Sequence, residues 1–256
     1  MRIALLALLL LAAPAAHAAT EDEIFALYAH GDYEAAAHAG EAAHTASGYA
    51  IAARAVLADE VLRDTPCLPC LKRAETLARQ AIAADPRNAF GQVWLAVALG
   101  YQSRITGIVK ARLANAPAQS KAALEEAVKD DPQNAYAISA LGGWNIEVVR
   151  GGGSYFARLL YGATEAQALS LFDQAARLAP GNVAVRYQIA LALAGYDAEK
   201  YRSRIAIELR AAMAGEAATA YEKKMQERVN DLLGLVNRGP QEALVARIRK
   251  YQGYPD

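Results

Sequence analysis

The chain has 256 residues with 27 Lys plus Arg and 27 Asp plus Glu, so its formal net charge is zero. That balance argues against nucleic acid or an anionic membrane as the main partner, and an apolar fraction of 54% excludes a disordered chain. Alanine supplies about a quarter of the residues and aromatics only 7%. Such a composition favours closely packed helices, because Ala has the best helix propensity and lets backbones approach.

Residues 1–18 read as a secretory signal peptide. Met1-Arg2 gives a short positive start, and Ile3 to Ala13 is an unbroken apolar run too short to span a bilayer with margin. Ala16-His17-Ala18 then places small residues where signal peptidase reads, so cleavage is expected after Ala18. A buried N-terminal helix or a membrane anchor is the competing reading, and the small-residue site directly after the apolar run favours the signal. No Cys lies near the junction, so no lipid anchor is implied. No later stretch is long and apolar enough to span a bilayer, which predicts no stable membrane insertion. An alanine-rich chain without Asn-x-Ser/Thr emphasis fits a bacterial protein, and the periplasm is then the expected location.

Beyond the signal the chain repeats itself. His30-Gly31-Asp32-Tyr33-Glu34-Ala35-Ala36 has the look of an inter-helix turn. Asp85-Pro86-Arg87-Asn88, Asp131-Pro132-Gln133-Asn134 and Ala179-Pro180-Gly181-Asn182 are one turn written three times. Pro stops one helix and Asn caps the next. Before each Pro, small or apolar residues recur at fixed offsets: Ala74, Ala78 and Ala81; Ser120, Leu124 and Ala127; Ala168, Phe172 and Ala175. After each Asn, a large apolar residue is followed by a small one: Leu95-Ala96, Leu141-Gly142 and Ile189-Ala190. These offsets put one stripe on each of two consecutive helices, with small residues where they cross.

On these residues the chain resembles the tetratricopeptide repeat family, with Leu141-Gly142, Ala168, Phe172, Ala175 and Pro180 as the best-matching copy. The resemblance implies an all-α, right-handed solenoid of about five helical hairpins over residues 19–200, acting as an interaction scaffold. The turn prolines at 86, 132 and 180 lie further apart than the family's repeat of about 34 residues. Long inserts are therefore expected near Arg104 to Gln119 and Val149 to Ala163. Extended repeats carrying Leu141-Gly142-Gly143-Trp144 are also similar to the regulator of microtubule dynamics family, from which only architecture is taken. After residue 200 the pattern fades. Ser203–Ala214, Thr219–Val236 and Pro240–Gln252 read as helices of the same domain, with Ser203 and Thr219 as caps and the polar last helices covering the solenoid's end.

Candidate sites are few. Cys67-Leu68-Pro69-Cys70 holds the only thiols and is expected to be a disulfide in an oxidising compartment. Redox exchange lacks the strand-helix unit it normally sits on, a metal lacks a second ligand pair, and haem attachment lacks a His after Cys70. Neither a metal nor a cofactor is expected. His30, His38 and His44 have no partners at ligand spacing and read as ordinary surface or packing residues. No Ser or Cys nucleophile has an arguable base, so the chain reads as non-catalytic.

The insert loop Arg150-Gly151-Gly152-Gly153-Ser154-Tyr155-Phe156-Ala157-Arg158 lacks the Gly-Lys-Ser/Thr end of a phosphate loop. It reads as a flexible inter-helix loop, or as positive-φ turns that let Tyr155 and Phe156 fold back; Arg150 and Arg158, with Arg104, Lys110 and Arg112, read as a local basic rim or simply a solvated face. In the implied architecture the first helix of each hairpin lines the concave groove. That places Phe90, Val93, Val97, Tyr101, Tyr136, Ser139, Trp144, Ile146, Tyr187 and Leu191 there. The lining is apolar and Tyr-bearing, without the Lys and Asn of a peptide-carboxylate clamp. The first expectation is docking of another periplasmic or envelope protein in the groove. The alternative is an accessory protein for a small or lipid-like ligand in a transport or envelope system. The apolar inserts also raise the expectation that they fold into the groove and fill it.

Overall fold

A computed structural model describes residues 19–63 and 65–255. The signal peptide expected at 1–18 lies outside the described residues. Among the described residues there are thirteen α-helices and no strand, as the composition and stripes require. They run α1 (Glu21–His30), α2 (Tyr33–Ala42), α3 (Ala46–Leu62), α4 (Leu68–Ala84), α5 (Ala89–Thr106), α6 (Ile108–Leu113) and α7 (Ala116–Asp130). There follow α8 (Ala135–Tyr161), α9 (Glu165–Leu178), α10 (Val183–Asp197), α11 (Arg202–Ala214), α12 (Ala220–Arg238) and α13 (Gln241–Tyr251).

The repeated turn is built as its residues dictate. The side chains of Asn88, Asn134 and Asn182 each accept from the backbone N–H three residues on, at 2.7, 3.1 and 2.9 Å. Each therefore satisfies an orphan donor in the first turn of α5, α8 and α10. Thr219 caps α12 through a reciprocal box with Glu222. Ser203 does not cap α11, which starts at Arg202 with Tyr201 in the cap position and no side-chain cap.

Antiparallel pairs stack side by side in a solenoid-like array: α1 with α2, α3 with α4, α5 with α7, α8 with α9, α10 with α11. The stripes seat them. Ala74, Ala78, Ala81, Ala127, Ala168 and Ala175 are all fully buried. Gly142 of α8 lies so close to α9 that a methyl there would stand 2.7 Å from the Phe172 ring.

The inner helices α1, α3, α5, α8, α10 and α12 each touch the next, and α12 touches α1. The C-terminal helices cover the last hairpin as expected, and α12 also joins the array back to its own beginning. A methyl on Gly31 would lie 3.0 Å from the Ala220 methyl. From α12, Arg228 donates to the carbonyls of Val61 and Leu62 at the end of α3 (3.0 and 3.1 Å). Helix α13 packs on α10 and α12. It delivers Gln252 to the Leu191 carbonyl at 3.0 Å, while Arg104 donates to the Gln252 carbonyl at 3.0 Å.

Both inserts are helical. The first is α6. The second is the end of α8, which continues through Gly151 and Gly152 and turns only at Gly153 (φ 75, ψ 155), a left-handed geometry that glycine adopts without a Cβ clash.

The Gly142 contact generates a paired test. Gly142→Ala is expected to lose about 1–3 kcal/mol in urea unfolding, since the Phe172 ring must give way. Gly143→Ala, where an added methyl meets open space, is expected to be neutral or more stable by up to about 1 kcal/mol from helix propensity. Equal responses would contradict this packing.

Candidate functional site

The inner helices surround a half-open chamber of about 400 Å³. Of the residues expected to line the groove, Val93, Val97, Tyr101, Tyr136, Trp144 and Leu191 line this chamber, as does Ser139. Arg150, Gly151 and Gly152 of the second insert reach its edge; Gly153, Tyr155 and Arg158 do not.

Three expected lining residues need correction. Phe90 stays half-exposed, stacked on Trp94 with ring centroids 6.2 Å apart, and forms no part of the wall. Ile146 is core. Tyr187 is fully buried: α12 and α13 fill that part of the ring, with Arg228 and Tyr251 as its neighbours. Burial pushes the Tyr187 phenol far above its ordinary value. The inserts do not fill the chamber either. Ile108, Ala111 and Arg112 form part of its border and leave the space open.

Two polar clusters lie in the wall. The first was invisible to spacing arguments. Arg54, an isolated cation near the middle of α3, stands over the Tyr28 ring at 4.3 Å, Trp94 at 5.6 Å and Tyr136 at 5.8 Å. No ion pair to Arg54 occurs among the described residues; aromatic faces and a hydrogen bond to the Tyr28 phenol hold it. Burial drives the Tyr28 phenol up to about 12 against the opposing pull of Arg54, so this ring stays neutral. The sequence signal was a lone Arg on a helix that is apolar nearly all round.

The second cluster joins α5, α8 and the C-terminal tail. Glu147 takes Arg150 at 2.8 Å and the Tyr254 hydroxyl at 3.1 Å, with Arg104 at 3.7 Å. Arg150 also donates to the Tyr254 hydroxyl. Burial raises the Glu147 carboxyl, but the charges of Arg104 and Arg150 and the bonds from Arg150 and Tyr254 override it. The group is left below the ordinary carboxylate range. Two guanidiniums face one carboxylate, so this end of the chamber keeps a positive excess. Arg104, expected on a solvated rim, is instead built into the wall, where its guanidinium also lies 4.8 Å from the Tyr101 ring.

Cys67 and Cys70 form the expected disulfide, away from the chamber. The buried Glu60 carboxylate accepts the Cys67 N–H at 2.5 Å. With the two sulfurs it forms a group of three ligand-type atoms, and the S–S bond already occupies both thiols.

Fold and site together define an all-α, repeat-like protein built around an internal chamber. The sequence matches the family described as Regulator of microtubule dynamics protein 1-3 over residues 63–237, more than half of its length, and the chain belongs to that family. No curated protein matches the chain as a relative. No helix among the described residues is long and apolar enough to cross a membrane.

Two measurements follow. Because the Glu147 carboxyl titrates below its unfolded value, its stabilisation is present above the ordinary carboxylate pKa of about 4.3 and is lost as pH falls through the folded value. Glu147→Gln is expected to cost about 1–3 kcal/mol at neutral pH, with the urea-unfolding curves of the two proteins converging in acid; a constant gap would contradict the assignment. Cys67→Ser/Cys70→Ser closes no ring and is expected to lose about 2 kcal/mol at most in urea unfolding, by loop-closure entropy; a much larger loss would contradict a merely ring-closing role.

Proposed function

We propose that the protein is a non-catalytic, periplasmic binding protein whose chamber takes one small, apolar, anion-bearing molecule. The observation that carries this is the chamber itself, apolar and aromatic along its length with arginines at both ends. Its volume of about 400 Å³ lies within the usual range of small-molecule sites, about 300–1,000 Å³. An α-helix about 10 Å across would put only about one turn into that space. Size therefore favours a small ligand over a docked helix, and reverses the order in which the sequence ranks the two readings.

Arg54 supports the anion. A cation held by ring faces and the Tyr28 hydroxyl, with no carboxylate partner among the described residues, keeps most of its five donors for a carboxylate or phosphate. The hairpins are read as extended tetratricopeptide-like repeats, on the strength of the repeated Asn caps and the Gly142–Phe172 approach. Export rests on the signal expected at residues 1–18. An exported bacterial chain has no microtubule to meet, so the family contributes architecture to this reading and no cytoskeletal role.

The test is a titration of the mature chain with the fluorescent apolar probe N-phenyl-1-naphthylamine, followed by displacement with a long-chain fatty acid. Saturable binding at one site is expected. Tyr136→Ala and Trp144→Ala should weaken it at least about fivefold, roughly 1 kcal/mol of lost apolar contact. Arg54→Met should keep the probe and lose competition by the fatty acid. The control Ile207→Ala, exposed on α11, should change nothing. No saturable probe binding would sink the proposal.

A further inference from the structure

The six most exposed large apolar side chains among the described residues all belong to the two inserts: Val109 and Leu113 on α6, and Tyr155, Phe156, Leu159 and Leu160 on the end of α8. Leu113 is 84% exposed and Tyr155 71%. A soluble surface carries scattered apolar residues, but not its most exposed ones gathered on two short helices. The helices are neighbours. The Ile108 side chain lies 3.2 Å from a methyl built on Gly151, and the Arg112 guanidinium 3.3 Å from one on Gly152. Ile108, Arg112, Gly151 and Gly152 all border the chamber.

The charge on these inserts is of one sign. Between Asp85 and Glu125 there is no acidic residue, and none between Glu147 and Glu165. Lys110, Arg112 and Arg158 are exposed, and none forms an ion pair among the described residues. Elsewhere exposed cations are commonly paired, as Arg63 is with Asp59 and Lys224 with Glu227. The zero net charge therefore conceals a segregated, purely cationic patch interleaved with bare aromatic and aliphatic side chains. That pairing of apolar insertion with cationic attraction is the chemistry of docking on an anionic lipid surface.

We propose that α6 and the end of α8 dock the protein on an anionic membrane surface, with the mouth of the chamber turned toward the lipid. Docking is peripheral: the apolar side chains enter the headgroup region, and Lys110, Arg112 and Arg158 meet lipid phosphates. The docking itself stands without the chamber reading; only the orientation toward a ligand's source rests on it.

The experiment is flotation of the mature chain with two kinds of vesicle. One is an equal mixture of phosphatidylglycerol and phosphatidylethanolamine, the other phosphatidylcholine alone, each at low and high salt. The native chain is expected to float with the anionic vesicles, to float less at high salt, and to stay behind with phosphatidylcholine. Leu113→Ser/Leu159→Ser/Leu160→Ser and Lys110→Glu/Arg158→Glu should each lower the bound fraction at least about tenfold at low salt. Unchanged thermal unfolding shows that these exposed positions leave the fold intact. Unchanged naphthylamine binding separates a docking defect from a failed chamber. Equal flotation with both vesicle types, no flotation at all, or no response to either variant overturns the proposal. So does size-exclusion evidence that the same residues bury themselves in a dimer, or capture of a protein that both variants lose while neither vesicle binds.

Discussion

The chamber depends on how the two ends of the chain are joined. Val61 and Leu62 end α3, and their carbonyls have no partner within that helix. Arg228 supplies the donors from 166 and 167 residues away in sequence. A helix C-terminus is a site of negative potential, so a buried guanidinium is tolerated there without a carboxylate. Its outer face rests on the Tyr251 ring, 4.5 Å from the centroid. From the same C-terminal segment, Gln252 ties α10 to α5 by bonding the Leu191 carbonyl and accepting Arg104. Without these bonds the inner helices would form an open arc. With them the arc is drawn round until α12 meets α1, and the concave face becomes a half-open chamber.

Closure divides the interior into two unlike halves. Where α12 and α13 enter, Tyr187 is fully buried beside Arg228 and Tyr251, while Tyr221 of α12 reaches the chamber wall. Opposite them α5 and α8 bring Tyr101, Tyr136 and Trp144 to the wall and nothing fills the middle. The polar groups sit at the margins of the open half: Arg54 among its rings, and Arg104 with Arg150 around Glu147. The wall is thus apolar along its length, with guanidinium groups at its margins. The inserts, which a simple repeat lacks, border the chamber and leave their own apolar side chains exposed.

Much of this architecture was legible in the sequence because it is local. Three Asn residues after three prolines announce three helix starts, and all three side chains make the cap. The Ala stripes and Gly142 mark where helices cross, and every one of those stripe residues is buried. The Gly151–Ser154 stretch is not the flexible loop expected, because consecutive glycines weaken a helix by only about 1 kcal/mol each; packing can hold Gly151 and Gly152, and the expected positive φ occurs at Gly153 alone. Tyr187 was misplaced because its position in the repeat says which way it points, not what comes to cover it. Arg228, Arg54 and Tyr254 act across distances that no periodicity encodes, so ring closure and both polar clusters needed coordinates. The balanced charge is a sum over the chain and says nothing of how the acid-free inserts segregate it.

The most direct test of the chamber uses the protein's two tryptophans, Trp94 and Trp144, because both line it. A brominated long-chain fatty acid quenches indole only on close contact. Titrated into the mature chain, it should quench both tryptophans together and saturate at one molecule per protein. Quenching that never saturates, that reaches one tryptophan only, or that is absent would contradict a chamber open to a single ligand.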